Sequence, residues 1–255
     1  MITLLSDWKL RDPYLGIFKG QLMKLMPNES IIDITHHLET YNHSQTAFIA
    51  KNCYSHFPEN SLHIILSGIS GLLEVKPVLI AHNGHFFLGE DCGIFSMMFG
   101  KNNINAYQYN GDMSLPETEK LALMASWVIQ KSYLKNTIPY LSLKFKISQL
   151  SEPYYNTEQK TISGKVSYID SNYNAVTNIP VSMFETIGKH KEFIATVLTA
   201  HPIEIKRCHS FYNPKELEIF LVYNSLGFIE ITLFNGNIAA LANIQTGTDV
   251  EIKFF

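Results

Sequence analysis

The chain has 255 residues, a formal net charge of −3 at neutral pH and 46% apolar side chains, with a pI near 6.4. That length supports one large core or two modest ones, and that charge excludes a strongly basic nucleic-acid face as the default reading. Charged residues reach only 17% beside 16 Phe and 13 Tyr, a mixture that suits a chain hiding part of its surface in subunit contacts.

In chain order, Ile2–Leu5 reads as a buried strand ending in Ser6-Asp7. Asp12-Pro13 then opens a helix, with Asp12 as a hydrogen-bond acceptor for its free N–H groups and Pro13 suited to the first turn. Leu15, Phe18, Leu22 and Leu25 line one face of that helix, and Pro27-Asn28 ends it. Ile31–Ile34 is a second strand, a helix follows over Ser44–Phe57, and Leu62–Leu66 is a third strand. Val78–Ala81 and His85–Leu88 flank Asn83-Gly84, a two-residue hairpin signal. Glu117–Leu134 is the strongest amphipathic helix, with Leu121, Ala125, Val128 and Ile129 facing inward. This alternation predicts an α/β domain with a mainly parallel sheet.

Beyond Leu134 the pattern changes. Lys135–Ser163 is polar, carries Pro and Tyr, and reads as a linker. From Gly164 the apolar runs are short and separated by turn residues: Lys165–Ile169, Phe193–Leu198, Ile219–Tyr223, Phe228–Leu233 and Val250–Phe254. With no convincing long helix among them, they predict an all-β, barrel-like domain. The expected division is residues 1–150 as the α/β domain and 151–255 as the β domain. Cys53, Cys92 and Cys208 are too scattered for a disulfide framework or a metal knuckle. The N-terminus lacks the basic start and long apolar stretch of a signal peptide, and no run reaches the roughly 20 apolar residues of a membrane span. The expected location is the cytoplasm.

The residues alone offer one chemical lead. Asp7 and Asp12 flank a strand-to-helix turn, where α/β sheets place ligands, and a carboxylate there accepts both hydroxyls of a ribose or faces a cation. For Asp12 the plainer account is a helix cap; Asp7 has no such structural task. His36, His37 and His43 read as solvated loop residues, since adjacent positions on an extended segment point oppositely and cannot easily share a metal. There is no Gly-rich phosphate loop, no GxSxG elbow and no HExxH.

Several segments, in order, carry a resemblance. Ile2-Thr3-Leu4-Leu5-Ser6-Asp7 with Asp12-Pro13-Tyr14 and Lys19-Gly20 is similar to ITLxTDFGxxDPYVGxxKG, and Ile31-Ile32-Asp33-Ile34-Thr35-His36 to IVDITH. Phe57-Pro58-Glu59 is similar to YFPEGT, and Leu88-Gly89-Glu90-Asp91-Cys92-Gly93 to VGPDNG. Ile169-Asp170 through Asn174 to Thr177-Asn178-Ile179 resembles IDxFGNxxTNI. Asn224-Ser225-Leu226-Gly227, Glu230-Ile231 and Gly236-Asn237 resemble NSxGxxEIxxxxGNAA. Together they resemble the S-adenosylmethionine hydroxide adenosyltransferase family, which also contains fluorinating and chlorinating enzymes.

The resemblance implies an N-terminal α/β domain, a C-terminal β barrel, and a homotrimer holding S-adenosylmethionine or adenosine between one subunit's N-terminal and a neighbour's C-terminal domain. It implies no cofactor beyond that ligand. By motif position Asp7 takes the ribose hydroxyls, Tyr41 lies beside the sugar, Phe211 stacks on adenine and Asn174 reads its edge. Asp12, Asp170 and Ser225 fall near the methionine end. The chain departs from the hydrolytic members at their Asp, Arg and His. Gly68, or Ser67 with a one-residue slip, replaces the Asp; Lys76 replaces the Arg without its planar fork; and Pro116 replaces the His. Glu117 stands where a halogenase has its halide-binding hydroxyl, and its negative charge argues against halogenation. The expected function is cleavage of S-adenosylmethionine to adenosine and methionine through a variant site, with Glu117 or Glu74 as a substitute acid or base. The competing expectations are a trimer that binds S-adenosylmethionine or adenosine without turnover, and a different adenosine-directed reaction using Glu117.

Overall fold

The computed structural model describes residues 1–68, 77–100, 104–140, 150–189, 191–209 and 215–255. Contacts divide the chain into two compact units, Met1–Leu150 and Ser151–Phe255.

The first unit runs β1 (Ile2–Ser6), α1 (Tyr14–Leu25), β2 (Ile31–Thr35), α2 (His43–Cys53), β3 (Leu62–Leu66), β4 (Pro77–His82), β5 (His85–Glu90) and α3 (Ile94–Phe99). It continues through β6 (Asn105–Tyr109), α4 (Glu117–Ile129), α5 (Tyr133–Asn136) and β7 (Thr137–Pro139). The sheet order is β2-β1-β3-β5-β4-β6-β7. The strands β2, β1, β3 and β5 are parallel, whereas β4, β6 and β7 join antiparallel. The sheet is thus mixed, and its parallel half is the half that builds the site.

Alternation along the strands sorts side chains to two covered faces. Ile2, Leu4, Ile64, Leu66 and Leu88 pack with Leu15, Phe18 and Leu22 of α1 and with Leu121, Met124 and Ala125 of α4. Leu5, Ile65, Ile80 and Phe87 turn the other way, onto Ala47 and Ala50 of α2 and Phe95 and Met98 of α3. The β4–β5 turn has Asn83 at φ 46° and Gly84 at φ 75°, the left-handed pair that a two-residue hairpin requires. At Gly89 a Cβ would lie 2.6 Å from the Ile65 carbonyl oxygen, so β3 and β5 meet as they do only because that side chain is absent.

At the end of β3 and β5 away from their C-termini, Thr3 Oγ1 lies 2.8 Å from His63 Nδ1, and His63 Nε2 lies 3.1 Å from His85 Nδ1. His63 is buried and stacks on Phe87. Burial first, and the neighbouring His85 second, push its pKa down to about 4, so it is neutral in the folded protein.

The second unit contains β8 (Tyr154–Asn156), β9 (Thr161–Ile169), β10 (Ala175–Pro180), α6 (Val181–Gly188), β11 (Phe193–Val197) and β12 (Ile203–Ile205). It ends with β13 (Cys208–His209), β14 (Ile219–Tyr223), β15 (Phe228–Leu233), α7 (Ile238–Leu241) and β16 (Asp249–Phe254). Its sheet, ordered β12-β11-β16-β9-β10-β15-β14-β13 with β8 on β9, is antiparallel except for the β13–β14 pair. It curls into a nearly closed barrel, with β12 approaching β14, around Ile162, Val166, Ile179, Leu221, Ile231 and Ile252.

The expected linker is only partly one. Lys135 and Asn136 close α5, Thr137–Pro139 forms β7 on the edge of the N-terminal sheet, and the last residues form β8 and the start of β9. Unforeseen elements include α3 and β6 in the first unit and β10, the eight-residue helix α6, β12, β13 and α7 in the second.

Candidate functional site

The parallel strands β1, β3 and β5 end side by side, as Ser6 pairs with Leu66 and Ile65 with Gly89. Open α/β sheets bind ligands at such carboxyl ends. Here a cavity of about 700 Å³ is lined by Asp7, Trp8, Lys9, Asp12, Tyr14, Ile17, Thr40, Tyr41, Gly68, Pro116, Glu117 and Thr118.

Asp7 anchors it. The residue is 8% exposed, and its Oδ2 accepts the Gly68 N–H at 3.0 Å, which fixes the carboxylate and leaves Oδ1 for a ligand. Gly68 has φ 76°, a left-handed backbone that any side chain would strain. A Cβ there would also meet His43 Nε2 at 2.8 Å. The room that a side chain at 68 needs is therefore filled by the His43 imidazole. Ser67 turns away, is 2% exposed, and shares a 3.1 Å hydrogen bond with Thr46 of α2.

Asp12 is not a helix cap. Pro13 stands at the cap position of α1, and no side chain caps the helix. Pro13 brings no N–H, and Asp12 is left on the cavity wall. Tyr41 is exposed, holds φ 62°, and joins the same wall. Lys9, also left-handed at φ 62°, is the basic side chain among the described lining residues, and its ammonium donates to the Leu38 carbonyl. Pro116 immediately precedes α4, and Glu117 opens it, where a carboxylate faces the positive end of the helix dipole.

The histidines differ from expectation. His36 is buried: Nδ1 lies 2.7 Å from Ser6 Oγ and Nε2 lies 3.1 Å from Asp33 Oδ1. It ties β2 to the end of β1 directly before Asp7. Burial raises the Asp33 pKa, but Lys19 and His36 outweigh it and hold the carboxyl below its ordinary value. His43 is the first residue of α2, behind the Asn42 cap, with its ring on Gly68. His37 is exposed, as a loop residue would be.

A further acid lies beside Asp7 and Glu117. Glu90, the last residue of β5, is 9% exposed, and its Oε1 is buried with no hydrogen-bond partner among the described residues. Two residues beyond Leu88, it leaves the sheet on the face that α4 covers. Burial, then the charges of Glu117 and Asp7, push its pKa up to about 8. It therefore keeps its proton near neutrality.

The second unit gathers its own polar set. Asn174 Nδ2 donates to Glu230 Oε1 at 2.9 Å and to Asp170 Oδ2 at 3.4 Å. Asp170 Oδ1 accepts the backbone N–H groups of Asn172 and Asn174. Burial and the Asp170 charge raise the Glu230 pKa, partly offset by hydrogen bonds from Asn174, Asn224 and Thr232. Ser225 is exposed in the β14–β15 turn.

The structure thus brings Asp7, Asp12, Tyr41, Gly68, Pro116 and Glu117 to one cavity, and joins Asp170 to Asn174. Lys76, Glu74 and Phe211 lie outside the described residues. Sequence reasoning missed Trp8, Lys9, Thr40, Glu90 and Glu230. Glu90 left a trace as an acid where the motif VGPDNG carries proline, and Glu230 as the acid of the matched NSxGxxEI.

Comparison with known proteins gives a common result. The profile of the SAM hydroxide adenosyltransferase N-terminal domain matches residues 2–124, and that of the C-terminal domain matches residues 164–251. An (R)-S-adenosyl-L-methionine hydrolase of Methanocaldococcus jannaschii is 24% identical over 273 aligned residues, covering 100% of this chain and 96% of that protein. The enzyme of the same description from Thermus thermophilus is 24% identical over 97 residues, 38% of this chain and 37% of that protein. Among solved structures, an uncharacterized conserved protein from Thermotoga maritima superposes with a TM-score of 0.86 at 19% identity, covering 99% of this chain and 100% of that one. A conserved hypothetical protein from Thermus thermophilus gives 0.68 at 17% identity, covering 100% and 99%. These last two establish the fold.

Proposed function

Since the chain belongs to the SAM hydroxide adenosyltransferase family, we propose that its N-terminal cavity holds the adenosyl group of S-adenosylmethionine and that water cleaves it to adenosine and methionine. The full-length similarity to the Methanocaldococcus jannaschii hydrolase supports the substrate. The observation that carries the reading is Asp7: a nearly buried carboxylate, locked by the Gly68 N–H, with one oxygen left on the wall of the cavity. An ionised acceptor of two O–H groups is a strong anchor for ribose.

In the reaction, an oxygen–carbon bond forms at C5′ while the carbon–sulfur bond breaks, its electron pair leaving with sulfur as neutral methionine. The water releases one proton. A sulfonium is already a good leaving group, so the main requirement is a placed, desolvated water. General-base help typically adds about 10²–10⁴-fold. Glu117 is a carboxylate on the cavity wall suited to that role.

A second reading has its own observation. Gly68 and Pro116, at the positions of the family's catalytic Asp and His, offer the cavity no ionisable side chain. That favours slow turnover, or binding without turnover.

We also assign the protein to the cytoplasm as a homotrimer in which a neighbour's Asp170, Asn174, Phe211 and Ser225 complete the ligand contacts. The free cysteines fit a reducing compartment. Exposed Leu10, Tyr14, Ile17 and Met23 supply apolar surface for a subunit contact.

The test is incubation of purified protein with S-adenosylmethionine, with adenosine followed by chromatography. Adenosine formation above an Asp7→Ala control is expected. No product, with calorimetric binding retained, leaves the binding reading; no binding of S-adenosylmethionine or adenosine removes both.

A further inference from the structure

Among the described residues, acids around this cavity outnumber bases. Asp7, Asp12 and Glu117 line it against Lys9, whose ammonium is already engaged by the Leu38 carbonyl. Glu90, outside the cavity lining but within the field of Glu117 and Asp7, is 9% exposed, with a buried oxygen that has no hydrogen-bond partner among the described residues. Buried acids are normally satisfied, and one left unsatisfied calls for an explanation. No ion pair among the described residues supplies one. There, Asp7 and Glu117 are the charges that act on Glu90, and both are negative. Cys92, in the turn that follows, feels the Glu90 charge but is held protonated. Lys120, in the first turns of α4, acts on Asp112 instead.

We propose that Glu90, with Asp7 and Glu117, forms an anionic wall that makes this cavity select a positively charged adenosyl ligand, a sulfonium, over the neutral thioether of the same shape. The inference rests on the adenosyl reading above and adds to it the residue that discriminates charge. Burial first, and then the charges of Glu117 and Asp7, make Glu90 keep its proton. A sulfonium reverses the sign of the field, so Glu90 ionises and its proton leaves to solvent as the ligand enters. A thioether carries no such charge and leaves the proton in place. The same device favours product release: once the carbon–sulfur bond breaks, the cation that held the wall ionised is gone.

S-adenosylmethionine and S-adenosylhomocysteine share their adenosine, amino and carboxylate groups and differ by one methyl and one charge at sulfur, so the pair isolates that charge. Isothermal titration of the full chain with S-adenosylmethionine, S-adenosylhomocysteine and adenosine, in two buffers of different ionisation heat, reads both affinity and proton release. For the wild-type chain we expect preference for the sulfonium by about tenfold or more, with proton release for the sulfonium alone. In Glu90→Gln the preference narrows and the release disappears. Glu90→Met serves as the second variant, with the same expectation, should the amide not fold. A Glu90 variant that keeps the wild-type preference and proton count overturns the inference while leaving the adenosyl reading intact. A wild-type chain that binds none of the three compounds overturns the adenosyl reading itself.

Discussion

Replacing Glu90 by Gln should stabilise the protein, and the gain should grow with pH. The carboxyl is pushed up from an ordinary value of 4.5 to about 8 in the folded chain. Above pH 4.5 the unfolded chain releases this proton while the folded chain keeps it, so the group's contribution is fully present below 4.5 and is lost as pH rises towards 8. Each pH unit in that window costs about 1.4 kcal/mol. At pH 7 the window spans about 2.5 units, which gives on the order of 3 kcal/mol. Glutamine keeps the shape and never ionises. For a unit of about 150 residues that corresponds to a rise in Tm of roughly 6–12 °C. Thermal unfolding of wild type and Glu90→Gln, followed side by side at pH 5 and pH 7.5, tests this. A Tm difference that is the same at both pH values refutes the account, because steric repacking has no pH dependence and linkage does.

Three further outcomes are expected. His63 is neutral in the fold, with its pKa lowered to about 4, while the unfolded chain takes up the proton near 6.5; stability should therefore fall as pH drops from 6.5 to 4. A His63→Gln variant should show a shallower slope across that interval in urea melts; an unchanged slope rules out this origin. Gly68→Asp should not restore a family-like site, because φ 76° and the 2.8 Å approach to His43 Nε2 oppose any side chain. It should lower stability by about 1–3 kcal/mol, and adding His43→Ala should recover part of that loss in denaturant titrations; no recovery would mean that the imidazole is not the obstacle. Asn174→Asp should place a third carboxylate between Asp170 and Glu230 and remove the amide donor. The expected loss is about 1–3 kcal/mol near pH 7, smaller near pH 4, as followed by unfolding of the variant; equal losses at both values would exclude charge crowding.

The strands of the parallel half were readable because burial on both faces leaves near-continuous apolar runs such as Leu62–Leu66, all buried and interrupted only by His63. The hairpin was readable because Asn83-Gly84 states its backbone geometry outright. Strand β10 escaped because Thr177 and Asn178 interrupt it, and their polarity is answered only in three dimensions, by the Ile229 carbonyl and by the backbone of Ser151 and Lys165. Asp7 was legible as a carboxylate with no structural duty. Asp12 was misread as a cap because the Asp-Pro signal is the usual opening of a helix, and only the absence of a cap hydrogen bond separates the two roles. Glu90 was illegible as a site residue, since its character depends first on burial and then on Glu117 and Asp7, which the chain brings to it from distant segments.

The His43 ring against Gly68 bears on any attempt to build new chemistry into this pocket. An acid introduced at that position needs open space and an ordinary backbone, whereas here the imidazole fills the space and the backbone holds a left-handed conformation hostile to any side chain. Grafting a carboxylate there calls for two coordinated changes, one to clear the ring and one to relax the turn. The wall where α4 opens meets neither obstacle.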